Sequence, residues 1–140
     1  MRIAIINGPN LNLLGRRETS IYGTQTMEQC WVELVRRFPE VELVYFQSNH
    51  EGDIIDKLQE FGTGFDGIIL NAGAYTHTSI AIRDAVSAIA APVVEVHISD
   101  ISQREPFRRH SYLTDVCVKT IMGHGMRGYE EGVRYLMHNA

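Results

Sequence analysis

Hydrophobic and polar positions along this chain fall into two alternating periods. Short apolar or period-two runs occupy 2–6 (RIAII), 41–46 (VELVYF), 67–71 (GIILN), 93–98 (VVEVHI) and 116–122 (VCVKTIM). Their length and β-branched content predict strands. Between them, helical periodicity covers stretches near 27–38, 50–61, 79–90 and 126–138. Thr26 with Gln29, and Ser48 with Glu51, have capping-box spacing at two helix starts. Pro39 and Pro92 end the first and third helices, because the ring cannot continue the hydrogen-bond ladder. Five strand–helix units in succession predict an α/β fold with a doubly wound parallel sheet covered on both faces.

For a five-stranded sheet in 140 residues the expected strand order is 2-1-3-4-5, the flavodoxin-like arrangement. No composition shift, repeat or low-complexity segment divides the chain, so residues 1–140 are expected to form a single domain. The formal charge of −4 gives no electrostatic reason to expect nucleic acid. No run approaches the apolar length of a membrane span, and the opening residues read as a buried first strand rather than a signal peptide. Cys30 and Cys117 lack redox or zinc spacing and read as small buried hydrophobes in a reducing cytoplasm.

The fourth strand breaks the apolar rule. In Val94-Glu95-Val96-His97-Ile98-Ser99 the period of two places Glu95, His97 and Ser99 on one face and the aliphatics on the other. A parallel strand among βα units is expected to be apolar on both faces. Burying one neutral polar group without a partner costs roughly 2–7 kcal/mol. A carboxylate two residues from a histidine on one face can hold and charge that histidine, the relation a general acid requires. The bland alternative is a solvated edge strand.

In doubly wound sheets, ligands bind outside the carboxyl ends of the strands. Here those ends read Asn7-Gly8-Pro9-Asn10, Gln47-Ser48-Asn49-His50, Asn71-Ala72-Gly73-Ala74-Tyr75-Thr76-His77 and His97-Ile98-Ser99, outlining a polar pocket. The connection after the first strand, from Asn7 to about Gln25, is long. Its stretch Gly15-Arg16-Arg17-Glu18-Thr19-Ser20-Ile21-Tyr22-Gly23 is cationic and carries a glycine at each end, the character of a closing lid. Gly123-His124-Gly125-Met126-Arg127-Gly128 spells a dinucleotide fingerprint, but the sequence stops at Ala140 before the acidic strand that motif requires, so it reads as a tight turn. His77, His97 and Asp84 could converge, yet no local pair has H-x-x-x-H or C-x-x-C spacing, and no metal is expected.

Several separate motifs resemble the type II 3-dehydroquinate dehydratase family (type II dehydroquinases), from about Ile3 to Tyr135. They are Asn7-Gly8-Pro9-Asn10-Leu11-Asn12-Leu13-Leu14-Gly15, Arg17-Glu18 with Tyr22-Gly23, Gln47-Ser48-Asn49-His50-Glu51-Gly52 and Leu70-Asn71-Ala72-Gly73-Ala74-Tyr75-Thr76-His77-Thr78-Ser79. Arg83-Asp84-Ala85, Glu95-Val96-His97-Ile98-Ser99 and Phe107-Arg108-Arg109-His110-Ser111-Tyr112 complete the series in order. The resemblance implies cofactor-free and metal-free removal of water from 3-dehydroquinate, giving 3-dehydroshikimate through an enolate, in the shikimate route to aromatic compounds. It implies that Tyr22, ionised, is the base, with Arg17 its lid partner. His97 would be the acid with Glu95 behind it, and Asn10 would hold a water against the enolate oxygen. Asn71, His77, Arg108, the backbone amides of Ile98 and Ser99, and Asp84 would clamp the substrate. Asp84 would reach in from a neighbouring subunit, since the family forms trimers that build dodecamers. Two positions depart from the family pattern: Thr19 stands where the lid commonly has proline, which bears on lid stiffness, and His124 where the last turn commonly has an aliphatic residue.

The chemistry is consistent with those residue types. Proton loss beside a ketone builds an enolate and a hydroxyl then leaves, so a base, an oxyanion stabiliser and an acid are needed. Free tyrosine titrates near 10, and a neighbouring arginine in a dry site contributes about one to three units towards its anion. Arg17 and Arg108 are the minimum set read from the sequence. A non-enzymatic flavodoxin-like small-ligand module is the alternative class. The first strand end lacks the clustered acids of a phospho-receiver and the Ser/Thr-rich loop of a flavin site.

Overall fold

A computed structural model describes residues 1–16 and 18–139. Five parallel strands, β1 (Arg2–Asn7), β2 (Glu42–Gln47), β3 (Gly67–Asn71), β4 (Val93–His97) and β5 (Lys119–Met122), form one sheet in the order β2-β1-β3-β4-β5. A one-turn helix α1 (Thr19–Tyr22) precedes α2 (Met27–Arg37), α3 (Glu51–Phe61), α4 (Ile80–Ala88) and α5 (Arg127–Asn139). The alternation of side chains along each strand divides the core in two. Ile3, Ile5, Ile69, Val94 and Val96 pack with α2 and α5, whereas Ala4, Ile6, Ile68, Leu70 and Val93 pack with α3 and α4. Both faces are covered, as the crossover connections of a parallel sheet require. Among the described residues no helix is long and apolar enough to cross a membrane.

The helix starts follow local chemistry with one exception. Thr26 and Gln29 form the reciprocal capping box expected of them. Ser48 and Glu51 do not. Ser48 Oγ accepts from His50 N–H and donates to Asp53, while Glu51 turns away to take the Ser79 hydroxyl at 2.5 Å. Ser79 in turn caps α4 by accepting from Ile82 N–H. The helix α2 stops at Arg37, two residues before Pro39, because a residue preceding proline is pushed out of helical geometry.

The last strand is shorter than its apolar run suggests. Val116 and Cys117 both donate their N–H groups to the Leu113 carbonyl, making a turn that packs them on the α3–α4 side, and β5 begins only at Lys119. This turn folds residues 111–118 over the sheet beside β4.

The strand register aligns the site. Asn7 pairs with Gln47 on one side and Asn71 on the other, so the carboxyl ends of β2, β1 and β3 are level. Gly8 donates its N–H to the Asn71 carbonyl at 2.8 Å, and a Cβ on Gly8 would lie 2.4 Å from the Ala72 carbonyl oxygen. Only glycine permits that approach of the two loops.

Candidate active site

The long first connection is anchored before it becomes a lid. Leu11 and Leu14 are buried in the α2–α5 core, which fixes residues 8–14. Asn10, in the left-handed conformation at φ 68°, is held by its N–H donating to Asn49 Oδ1 at 3.0 Å, and Gln47 Nε2 donates to the same oxygen. Beyond this anchor Gly15 and Gly23 take φ of 88° and 82°, so both lid-end glycines serve backbone conformations that other residues rarely adopt. Between them α1 carries Tyr22. Thr19 is the first residue of that helix, a position where proline is also tolerated, so the departure from the family pattern leaves the turn intact. Arg17 lies outside the described residues.

The predicted residues converge in one cleft at the strand ends. Asn10 and Tyr22 line it from the first connection, Asn71 and His77 from the end of β3, and His97, Ile98 and Ser99 from the end of β4. Arg108 also lines it. Asp84 does not line this cleft. It is exposed on α4, one turn beyond the exposed Ile80, so it does not join His77 and His97.

Glu95 lies behind the cleft, with no exposed surface. Its Oε2 is 2.6 Å from His97 Nε2 and accepts from Ser111 Oγ at 2.5 Å. Its Oε1 accepts from Thr114 and Thr120 hydroxyls, each at 2.8 Å. Burial by itself pushes this carboxyl up. The hydrogen bond and charge of His97, with the Ser111 and Thr114 hydroxyls, outweigh it and hold the group down at about 2. An ionised Glu95 can only accept, so Nε2 of His97 carries a hydrogen towards it and Nδ1 is the nitrogen left for a ligand.

His77 is fixed in a similar way. Its Nδ1 is 2.8 Å from the His110 carbonyl, which requires a hydrogen on that nitrogen and leaves Nε2 as an acceptor when the ring is neutral. Burial first, and then the positive charges of His97, Arg108 and Arg104, lower its pKa despite the favourable carbonyl contact.

Arg104 is the functional residue that sequence reasoning missed. Its Nη1 donates to the Tyr22 hydroxyl at 3.2 Å and to Ser99 Oγ at 3.1 Å, and its guanidinium lies 5.6 Å from the Tyr22 ring centroid. Arg108 instead donates to Glu105 at 3.0 Å. The available signal was position: Arg104 and Arg108 are four residues apart in the segment following β4, and both line the cleft. The second departure, His124, is exposed and pairs with Glu131 at 2.7 Å.

The caged carboxylate sets an acid limit to stability. Because Glu95 titrates well below the ordinary 4.5, its contribution is complete above about pH 4.5 and is lost as pH falls towards about 2. That contribution is roughly 3 kcal/mol. The Glu95→Gln protein is expected to be less stable at neutral pH and to show a flatter decline between pH 4.5 and 2. Urea midpoints measured across that range check this. An unchanged acid slope in the variant would show that Glu95 is not the group responsible.

Comparison with known proteins gives the family. The profile of the Dehydroquinase class II family matches residues 1–137. The chain is 56% identical to a 3-dehydroquinate dehydratase of Exiguobacterium sp. over 140 residues, covering 99% of this chain and 96% of that one. It is 48% identical to the 3-dehydroquinate dehydratase of Bacillus pumilus, covering 95% and 92% of the two chains. The crystal structure of type II dehydroquinase from Butyrivibrio crossotus superimposes with a TM-score of 0.95 at 45% identity, covering 98% of this chain and 97% of that chain. A matching profile over nearly the whole chain, relatives about half identical over most of both lengths and a common fold have one meaning: the chain belongs to the class II dehydroquinase family.

Proposed function

We infer that this protein is a 3-dehydroquinate dehydratase, a hydro-lyase that eliminates water from 3-dehydroquinate to give 3-dehydroshikimate in the shikimate route to chorismate and the aromatic amino acids. The observation that best supports the mechanism is the pairing across one cleft of a phenol under an arginine and an imidazole backed by a buried carboxylate. Tyr22, as phenolate, takes the proton from the carbon beside the ketone. Arg104 stabilises the phenolate charge, a role that the resemblance to the family assigns to Arg17 as well. Electrons from the broken C–H bond move onto the ketone oxygen, and a water held by Asn10 supports that enolate. The enolate then re-forms the carbonyl, the carbon–hydroxyl bond breaks, and Nδ1 of His97 gives the departing oxygen its proton, so that water leaves. Asn71, His77, Arg108 and the amides of Ile98 and Ser99 orient the ring.

The reading includes a homo-oligomer, trimers assembling into a dodecamer, in which Asp84 completes a neighbour's cleft. The exposed position of Asp84 on α4, beside Ile80 and away from its own cleft, supports this. The reading also places the enzyme in the cytoplasm as a single catalytic domain. Cys30 and Cys117 are free thiols. Burial pushes them up to about 11 and about 12, which suits a reducing compartment where they remain inert.

The product contains a conjugated enone, so ultraviolet absorbance reports turnover directly. Purified protein given 3-dehydroquinate is expected to raise that absorbance equally with and without EDTA, and no rise in either case would reject the activity. Tyr22→Phe is expected to lower kcat by about 10²–10⁴-fold, the range for loss of a general base. A variant that keeps more than about a tenth of the wild-type rate would remove Tyr22 from that role.

The shared site has its own test. Tyr22→Phe and Asp84→Ala proteins, each inactive alone, should regain activity when unfolded together and refolded as mixed oligomers. Some clefts then combine an intact Tyr22 with a neighbour's intact Asp84. Mixed oligomers, verified by differential tagging, that show no activity above the separate backgrounds would contradict it.

A further inference from the structure

Tyr129 lies on α5 in the middle of the apolar core, with no exposed surface. Its pattern in the sequence is that of a packing residue, yet its hydroxyl is fully engaged. It accepts from Asn71 Nδ2 at 3.0 Å and donates to Asn7 Oδ1 at 2.8 Å, and Asn7 Nδ2 continues to the Tyr45 hydroxyl at 3.2 Å. Asn7 and Asn71 are cross-strand partners at the ends of β1 and β3, so the Tyr129 tip sits under the point where the strand order reverses.

Helix α5 is brought close enough for this contact by two glycines flanking Tyr129. A Cβ on Gly128 would lie 3.1 Å from Val96 Cγ1, and one on Gly132 would lie 3.1 Å from Ile69 Cδ1. Gly128 closes the Gly123–Gly128 motif that resembles a dinucleotide fingerprint, and here it serves close packing of helix on sheet.

We propose that Tyr129 is a positioning residue that holds the Nδ2 end of the Asn71 amide in the orientation presented to the substrate, from a place that substrate never reaches. The polarity of the whole chain follows from one backbone group. Gly73 N–H can only donate, and its acceptor is Asn71 Oδ1 at 3.2 Å. That places Nδ2 of Asn71 on Tyr129, whose single hydrogen is then directed to Asn7 Oδ1, and the Asn7 amide is oriented in turn. Among the described residues, one hydrogen of Asn71 Nδ2 and one lone pair of Oδ1 remain for the cleft. Burial pushes the Tyr129 hydroxyl up, with the Asn71 and Asn7 contacts opposing it, so the group stays a neutral donor throughout the working pH range. Phenylalanine in its place would remove the partner of Asn71 Nδ2 and of Asn7 Oδ1, leaving Asn71 held on one side only, by Gly73 N–H.

The inference rests on the reading that Asn71 binds 3-dehydroquinate, and a double-mutant cycle separates the two ideas. Asn71→Ala should raise KM. Tyr129→Phe should raise KM about three- to tenfold, the worth of a lost hydrogen bond, with kcat within about twofold, and should add nothing to KM in the Asn71→Ala background. An Asn71→Ala protein with unchanged KM would reject the substrate role of Asn71. A raised KM in Asn71→Ala beside an unchanged one in Tyr129→Phe, or equal additive effects, would overturn the positioning role, which a purely structural tyrosine would also fail to meet. If Tyr129→Phe does not fold, Tyr22→Phe protein labelled with ¹⁵N-asparagine, which binds substrate without turning it over, decides. Only one of the two Asn71 Nδ2 hydrogens should shift when 3-dehydroquinate saturates it, and both or neither shifting would overturn the proposal.

Discussion

An ionised carboxylate with no exposed surface is the constraint around which this cleft is built. An unpaired buried charge is far more expensive than any neutral group, and Glu95 is tolerated only because four donors reach it. Those donors come from three places: His97 on its own strand, Ser111 and Thr114 from the segment folded over the sheet, and Thr120 from the neighbouring strand. The cage therefore depends on the turn that delays β5, and on the pairing of Glu95 with Thr120 across β4 and β5. In exchange for that organisation the imidazole of His97 is held in one tautomer and one orientation, with Nδ1 left to act.

Around this centre the polar groups are fixed by hydrogen bonds from neighbouring loops and helix α5. Asn10 is set by Asn49, His77 by the His110 carbonyl, and Asn71 by Gly73 N–H and Tyr129. Tyr22 is the contrast, since it stands on a single helical turn between glycines of positive φ. A preorganised floor, with Tyr22 carried on a short turn above it, suits the proposed reaction, which must admit a polar ring and then exclude water.

The fold was legible because its signals are local and repeated. Strand and helix periods, Pro39, and the Thr26–Gln29 box each announce themselves within a few residues. The period-two break at Glu95 and His97 was readable too, because a charge in a strand otherwise built of valines demands an explanation. What closes the cage was not readable. Ser111, Thr114 and Thr120 look like ordinary turn and strand hydroxyls, and only the tertiary path from Leu113 to Lys119 brings them to one carboxylate. The same path ended the expectation of a strand from residue 116. Ser48 and Glu51 had the spacing of a cap, but Asp53 and Ser79 offered competing partners. Arg104 and Tyr129 were missed for opposite reasons, the one lost among surface arginines and the other hidden as a core aromatic.

The central claim is that Glu95 holds the Nε2 hydrogen of His97 and reserves Nδ1 for the substrate's departing oxygen. Nitrogen-15 NMR of protein labelled in its histidine rings tests it most directly, with His97 assigned by the loss of its signals in His97→Gln. The account predicts a hydrogen on Nε2 in every protonation state, strongly deshielded by a short bond to carboxylate, and Nδ1 as the nitrogen whose shift changes when substrate binds to the inactive Tyr22→Phe protein. A neutral ring carrying its hydrogen on Nδ1 would contradict it.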